Sequence, residues 1–258
     1  MRDWRLIIDG PVEGAWNMAI DRAVLHACSE GTSPPTLRLY TWRSPTVTLG
    51  RFQSIEDVDL EACLDLRFAV ARRPTGGRGV LHKDELTYSI VASVDDGVPR
   101  GVSASYRHLC SALAAAYANL GVQAELTSRP RGESASGACY LHATHADLSL
   151  GAAKLSGSAQ VWEHDAVLQH GSFVRSRDIE VEARVFKLDQ STSDRLVRET
   201  ATLEDALGIA PPIERIGEAI VASVQDTFGV RLVSGALTAA EVTDALERVE
   251  LFRVQAER

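Results

Sequence analysis

Small and apolar residues return at helical spacing across residues 14–29, where Ala19, Ala23, Val24, Ala27 and Cys28 share a face. The pattern then switches to alternation. Residues 37–42 and 46–50 alternate around Ser44-Pro45, which predicts two strands and a turn. Residues 54–66 predict a short helix opened by Ser54. Phe68, Val70 and Arg72 begin a strand that runs into a glycine-rich turn, and residues 86–93 make another strand. The clearest helix spans 103–120: Tyr106, Leu109, Cys110, Leu113, Tyr117 and Leu120 line one face, and Gly121 stops it. Residues 147–151, 154–162 and 166–174 read as strands, the last two joined by a polar turn into a hairpin. From Pro211 the chain turns helical, with Ile213, Ile216, Ile220, Val224 and Phe228 in one stripe. Thr238 and Glu241 have capping-box spacing for a final helix.

Strands and helices mix without regular alternation. This predicts an α+β fold with a mixed, largely antiparallel sheet and flanking helices rather than a doubly wound parallel sheet. No repeat, low-complexity tract or linker divides the chain. Residues 1–258 read as one catalytic-sized domain, with helices from about 211 to 258 as an appendage.

Composition narrows the function classes. Against 27 Lys and Arg stand 35 Asp and Glu, a formal net charge of -8, which disfavours a nucleic-acid partner. Arg72, Arg73, Arg78, Arg129 and Arg131 form either a local basic patch or a solvated face. No apolar run is long enough to span a bilayer, and the first residues carry no signal-peptide core. Cys28, Cys63, Cys110 and Cys139 match no zinc or redox spacing. A cytoplasmic protein with reduced thiols, no metal and no membrane partner is the expectation.

Four features could carry chemistry. Cys28, Cys63 and Cys110 fall on apolar helix faces and read as packing, whereas Cys139 follows a polar, glycine-containing stretch and is a candidate nucleophile or an incidental loop residue. In RRPTGGRGVLH (72–82), Gly76 and Gly77 would let backbone approach a ligand closely, or simply make a hairpin turn. In GAAKLSGSAQVW (151–162), small residues surround Lys154; Gly157, Ser158 and Ala159 leave room for a bulky ligand chain. A half-buried Lys there is a candidate for a shifted pKa. His170-Gly171 lies in the partner strand, where a lone His is either structural or catalytic.

Taken together, these blocks resemble the lipoate-protein ligase and octanoyltransferase superfamily, which includes biotin-protein ligases. The resemblance runs from GAWNMAIDRAV through TLRLYTWRSPTVTLGRFQ and RRPTGGRGVLHKDELTYSI to the Lys-x-x-Gly-Ser-Ala-Gln and Gln-His-Gly-Ser blocks. Within it, the chain is most similar to cysteine-dependent octanoyltransferases related to lipoate ligase A. The signature TGGRGVLHKDELTYS and the position of Cys139 carry that similarity, and Arg22 stands where an acidic residue is frequent.

The resemblance implies transfer of an octanoyl group from acyl carrier protein, through a Cys139 thioester, to a lysine of a lipoyl-type domain or glycine cleavage H protein. Lys154 would be the partner of the thiol. Arg73, Gly76, Gly77, Arg78, His82, Gly157, Ser158, Ala159, His170 and Gly171 would bind substrate. No cofactor is implied for a transferase. The arginines near the glycine turn would dock acidic partner proteins. Alternatives are an ATP- and Mg-dependent lipoate ligase, acyl exchange between lipoyl-bearing proteins, and a non-catalytic lipoyl-protein-binding module.

Overall fold

The computed structural model describes residues 1–127 and 147–254. In chain order its first half comprises β1 (Arg2–Val12), α1 (Gly14–Ser29), β2 (Thr36–Trp42), β3 (Thr46–Leu49), α2 (Leu60–Asp65), β4 (Ala69–Arg72), β5 (Val80–His82), β6 (Glu85–Ser93) and α3 (Val102–Asn119). Then follow β7 (Glu125–Thr127), β8 (Asp147–Leu150), β9 (Ala153–Ser156), β10 (Ser158–Glu163) and β11 (Ala166–Val174). The remainder is α4 (Ile179–Val185), α5 (Gln190–Glu199), α6 (Leu203–Leu207), α7 (Ile213–Phe228), β12 (Val230–Ser234) and α8 (Ala239–Phe252).

The main sheet has the order β10-β11-β6-β2-β1-β12. The pairings from β10 to β2 are antiparallel, and β1 pairs parallel with both β2 and β12. The fold is therefore α+β with a mixed, largely antiparallel sheet, as the irregular strand–helix order predicts. Two three-stranded sheets accompany it, β4-β3-β5 and β7-β8-β9.

The main sheet is covered on both faces. Leu37, Leu39, Leu86, Tyr88, Ile90 and Phe173 pack with α3 and α7 in one core. Tyr40, Val91 and Leu168 pack with α1 and α8 in the other. Strand alternation explains this division, because successive side chains point to opposite faces.

Local chemistry sets the element ends. Thr238 and Glu241 form both bonds of a capping box at α8, as their spacing predicts. The helix expected over 54–66 is instead divided. Ser54 caps only a one-turn segment, Ile55–Asp57, and Val58 is extended. The Asp59 carboxylate then accepts from Ala62 N–H and starts α2 afresh.

The strand expected over 154–162 is also interrupted, at Gly157, where the chain leaves the β7-β8-β9 sheet and enters the main one. The segment after 211, expected as an appendage of helices, also supplies β12, and α8 packs on α1. No described helix is long and apolar enough to cross a membrane.

Candidate functional site

Three strands of the main sheet carry polar residues on the face toward α1. Arg38 in β2, Ser89 in β6 and His170 in β11 are register neighbours in a row across the sheet. All three converge on one carboxylate, Asp21 of α1. Arg38 donates to it at 2.9 Å, Ser89 at 2.9 Å and Tyr40 at 3.0 Å, and His170 Nδ1 lies 3.0 Å away. Burial would raise the Asp21 carboxyl, but the His170 hydrogen bond and the Arg38 charge hold it below the usual carboxylate range. Burial pushes His170 down, and Asp21 offsets only part of this, so the imidazole is neutral near pH 7.

A second buried cluster lies alongside. Glu85 accepts from Ser172 at 2.5 Å and Thr87 at 2.7 Å, with His82 Nδ1 at 2.6 Å. The opposing effect of burial is outweighed by the His82 charge and these hydrogen bonds, so Glu85 is held below the usual range. His82 Nε2 lies 2.8 Å from Thr48 Oγ1, and Trp42 stacks on the imidazole at 4.0 Å.

The glycine turn lies above both clusters. Thr75 Oγ1 is 2.7 Å from His170 Nε2. Arg73 is buried and donates to Thr48 Oγ1 at 2.7 Å, Gly76 O at 3.2 Å and Arg78 O at 2.8 Å. Arg72 donates to the carbonyls of Gly50 and Gln53, each at 2.8 Å. The docking role expected for Arg73 is therefore corrected, because its buried guanidinium is occupied by Thr48 and the carbonyls of the turn, whereas Arg72 is half-buried with Nη1 bonded to carbonyls of the loop beneath. Arg78 is half-buried and pairs with Asp57 at 3.1 Å. Arg129 and Arg131 lie outside the described residues.

Gly77 has φ +98°, and its carbonyl lies where a Cβ on Gly50 would come within 2.0 Å. Its close backbone approach is thus to the protein itself. Over Gly76 the space is open, and no described residue accepts from the N–H of Gly76 or Gly77.

Lys154 lies on β9, buried, with Nζ 3.0 Å from the carboxylate of Asp147, the first residue of β8. A Cβ on Gly157 would press on the Lys154 side chain at 3.0 Å, and one on Gly171 would strike Gly157 O at 2.7 Å. Both glycines make room for neighbouring protein groups, which corrects the expectation that the space at Gly157 is left for a ligand chain. Ser158 bonds Tyr88 through its hydroxyl at 2.6 Å, and Tyr106 donates to its carbonyl at 3.1 Å. Ala159 is half-buried beside His170 in the β10–β11 ladder.

Both ring nitrogens of His82 and of His170 have protein partners, so neither can bond substrate without releasing one. Cys139 lies outside the described residues. Cys28, Cys63 and Cys110 are buried thiols, pushed up by burial to about 12, 11 and 12. Among the described residues no His, Cys, Asp and Glu group could hold a metal. The sequence reading missed Asp21, Glu85, Asp147 and Thr75. A signal existed for Asp21 and Glu85, acidic residues in a largely apolar helix and strand.

Residues 13–225 match the model of the lipoyl protein ligase A/B catalytic domain. The chain is 39% identical to octanoyltransferase LipM of Moorella thermoacetica, covering 92% of this chain and 91% of that one. It is 38% identical to octanoyltransferase LipM of Kyrpidia tusciae, covering 93% of each. A solved lipoate-protein ligase A bound with ATP shares the fold, with a TM-score of 0.81 and 24% identity over 97% of this chain and 95% of that one. The chain belongs to the lipoyl protein ligase A/B catalytic-domain family, and within that family it is an acyltransferase.

Proposed function

We propose that the protein moves an octanoyl group from acyl carrier protein to a lysine of a lipoyl-type domain or glycine cleavage H protein, through a thioester on Cys139. The observation that carries this reading is the match to octanoyltransferases over more than nine-tenths of the chain. A buried Lys154 held on its strand by Asp147 supports it.

The chemistry runs in two balanced steps. The Cys139 thiolate attacks the carbonyl carbon of the donor thioester, and a tetrahedral oxyanion forms. The carrier thiol leaves as the carbonyl re-forms and takes up the proton that Cys139 lost. The neutral ε-amine of the acceptor lysine then attacks the enzyme thioester. An amide forms, the amine proton is released, and the Cys139 sulfur returns to its free form. Covalent catalysis splits one reaction among three bodies into two between pairs.

Thioester exchange is close to neutral in energy and amide formation is downhill, so no ATP enters. The three described cysteines are poor nucleophiles at neutral pH because burial keeps them protonated. Lys154, a fixed cation, is suited to stabilise the thiolate or the developing oxyanion.

Intact-mass spectrometry after mixing the protein with octanoyl-acyl carrier protein, without ATP, tests this directly. An octanoyl adduct on wild type, absent from Cys139→Ala and discharged by a lipoyl-domain acceptor, is the expected result. Acceptor modification that appears only with ATP and a free acid would overturn it in favour of a ligase.

A further inference from the structure

Two buried chains of side chains end at the glycine turn, and the transfer steps above use neither. One runs from Asp21 through His170 to Thr75, at 3.0 and 2.7 Å. The other runs from Glu85 through His82 to Thr48, at 2.6 and 2.8 Å, and on to Arg73 at 2.7 Å. Proton positions follow from the partners. A carboxylate only accepts, so Nδ1 of each imidazole carries a hydrogen, and in the neutral His170 ring Nε2 offers a lone pair. The Thr75 hydroxyl then donates to Nε2 of His170. The Thr48 oxygen accepts from Arg73, whose other nitrogen holds the carbonyls of Gly76 and Arg78.

Further ties fix the turn. Arg51 N–H donates to Thr75 O at 2.8 Å, and Gly50 backs onto the Gly77 carbonyl. The carbonyl side is thus held by protein, while the N–H groups of Gly76 and Gly77 have no described acceptor and Gly76 faces open space.

We propose that the Asp21–His170–Thr75 and Glu85–His82–Thr48 chains are positioning devices that fix the glycine turn so that its N–H groups receive the carbonyl oxygen of the acyl thioester. This rests on the acyl-transfer reading given above. Donors set in place before reaction stabilise a developing oxyanion without reorganising. Thr48 Oγ1 is held by His82 and Arg73, and Thr75 is held through its hydroxyl by His170 and through its carbonyl by Arg51, which fixes the backbone that carries it. Thr75, Thr48, His170 and His82 act through the turn and do not touch the reacting atoms.

Three variants test this: Thr75→Val, which removes the hydroxyl at similar volume, Thr75→Ser, which keeps it, and Thr48→Val. The readouts are octanoyl-enzyme formation against donor concentration, thermal midpoint, and amide exchange at Arg51, whose N–H donates to Thr75 O. Thr75→Val and Thr48→Val should lower the limiting acylation rate about tenfold or more, with donor KM within about twofold. Thr75→Ser should restore the rate to within about threefold. Exchange of the Arg51 amide, which the Thr75 carbonyl holds, should quicken in Thr75→Val, while the sheet stays unchanged.

Wild-type acylation rates in both valine variants would overturn the positioning role, as would slowing that merely tracks a lower thermal midpoint. If wild type takes no octanoyl group, the acyl-transfer reading falls first and takes this inference with it. A wild type that acylates beside unimpaired valine variants overturns the inference alone.

Discussion

Lys154 shows how a single side chain can be visible in sequence and still be misplaced in environment. Small neighbours marked it, and half-burial was the expectation; in the fold it is buried against Asp147 at 3.0 Å. Removing one member of a buried ion pair costs about 3–5 kcal/mol. Lys154→Ala should therefore lose octanoyl-enzyme formation and also unfold at lower urea. Lys154→Met with Asp147→Leu should recover much of the stability and none of the activity, as denaturant titration beside the mass assay would show. A double variant that still acylates would remove Lys154 from the chemistry. Asp147 escaped the sequence reading because a lone acid at the start of a strand has no periodic signal. Its meaning depends on β8 lying beside β9, a tertiary fact.

Strands and turns account for most of what was legible. The α1, α3 and α8 helices, the β10–β11 hairpin and the central β6 follow the periodicities closely. The residues between 175 and 210, and the strands β1, β5, β7 and β12, did not stand out. Short segments carry too few residues to establish a period, and β1 mixes Asp, Arg, Gly and Pro with its apolar positions.

The polar row on β2, β6 and β11 was present in sequence as alternate polar residues in apolar strands, yet its convergence on Asp21 needs the register that pairs His170 with Ser89 and Ser89 with Arg38. Register also explains Gly171. An alanine there places Cβ 2.7 Å from Gly157 O, and overpacking of this kind costs about 1–3 kcal/mol. Gly171→Ala should lower the thermal midpoint and perturb the strand that carries Lys154. An unchanged midpoint would mean that the two backbones can separate freely at this point.

At the scale of the whole molecule, buried charge governs the response to acid. Asp21, Glu85 and Glu241 are each held below their usual range, in every case against the opposing effect of burial. Their stabilising contribution is complete above about pH 5 and is lost as pH falls through the depressed values. His170 is also depressed, amid the charges of Asp21, Arg73 and His82, with Arg38 and Tyr40 sharing its carboxylate. Its contribution is complete above 6.5 and is lost as pH falls through the lower folded value. Urea midpoints should therefore rise with pH below 6.5, and His170→Asn should flatten that rise; an equal slope in the variant would assign the dependence elsewhere.

The ends of the chain are joined by Arg5 and Glu241, whose two contacts measure 2.8 and 2.6 Å. Glu241→Ala leaves Arg5 buried without its carboxylate, so denaturant titration should show a loss of about 3–5 kcal/mol.

The parallel pairing of β1 with β12 carries a consequence for synthesis. β1 leaves the ribosome well before β12, its parallel neighbour. Until residues 230–234 emerge, β1 offers its outer backbone groups to any other strand, which is the condition for pairing between nascent chains. A ribosome that stalls within α7 would thus release a sheet with an open seam, and quality-control factors, rather than the finished fold, would decide its fate.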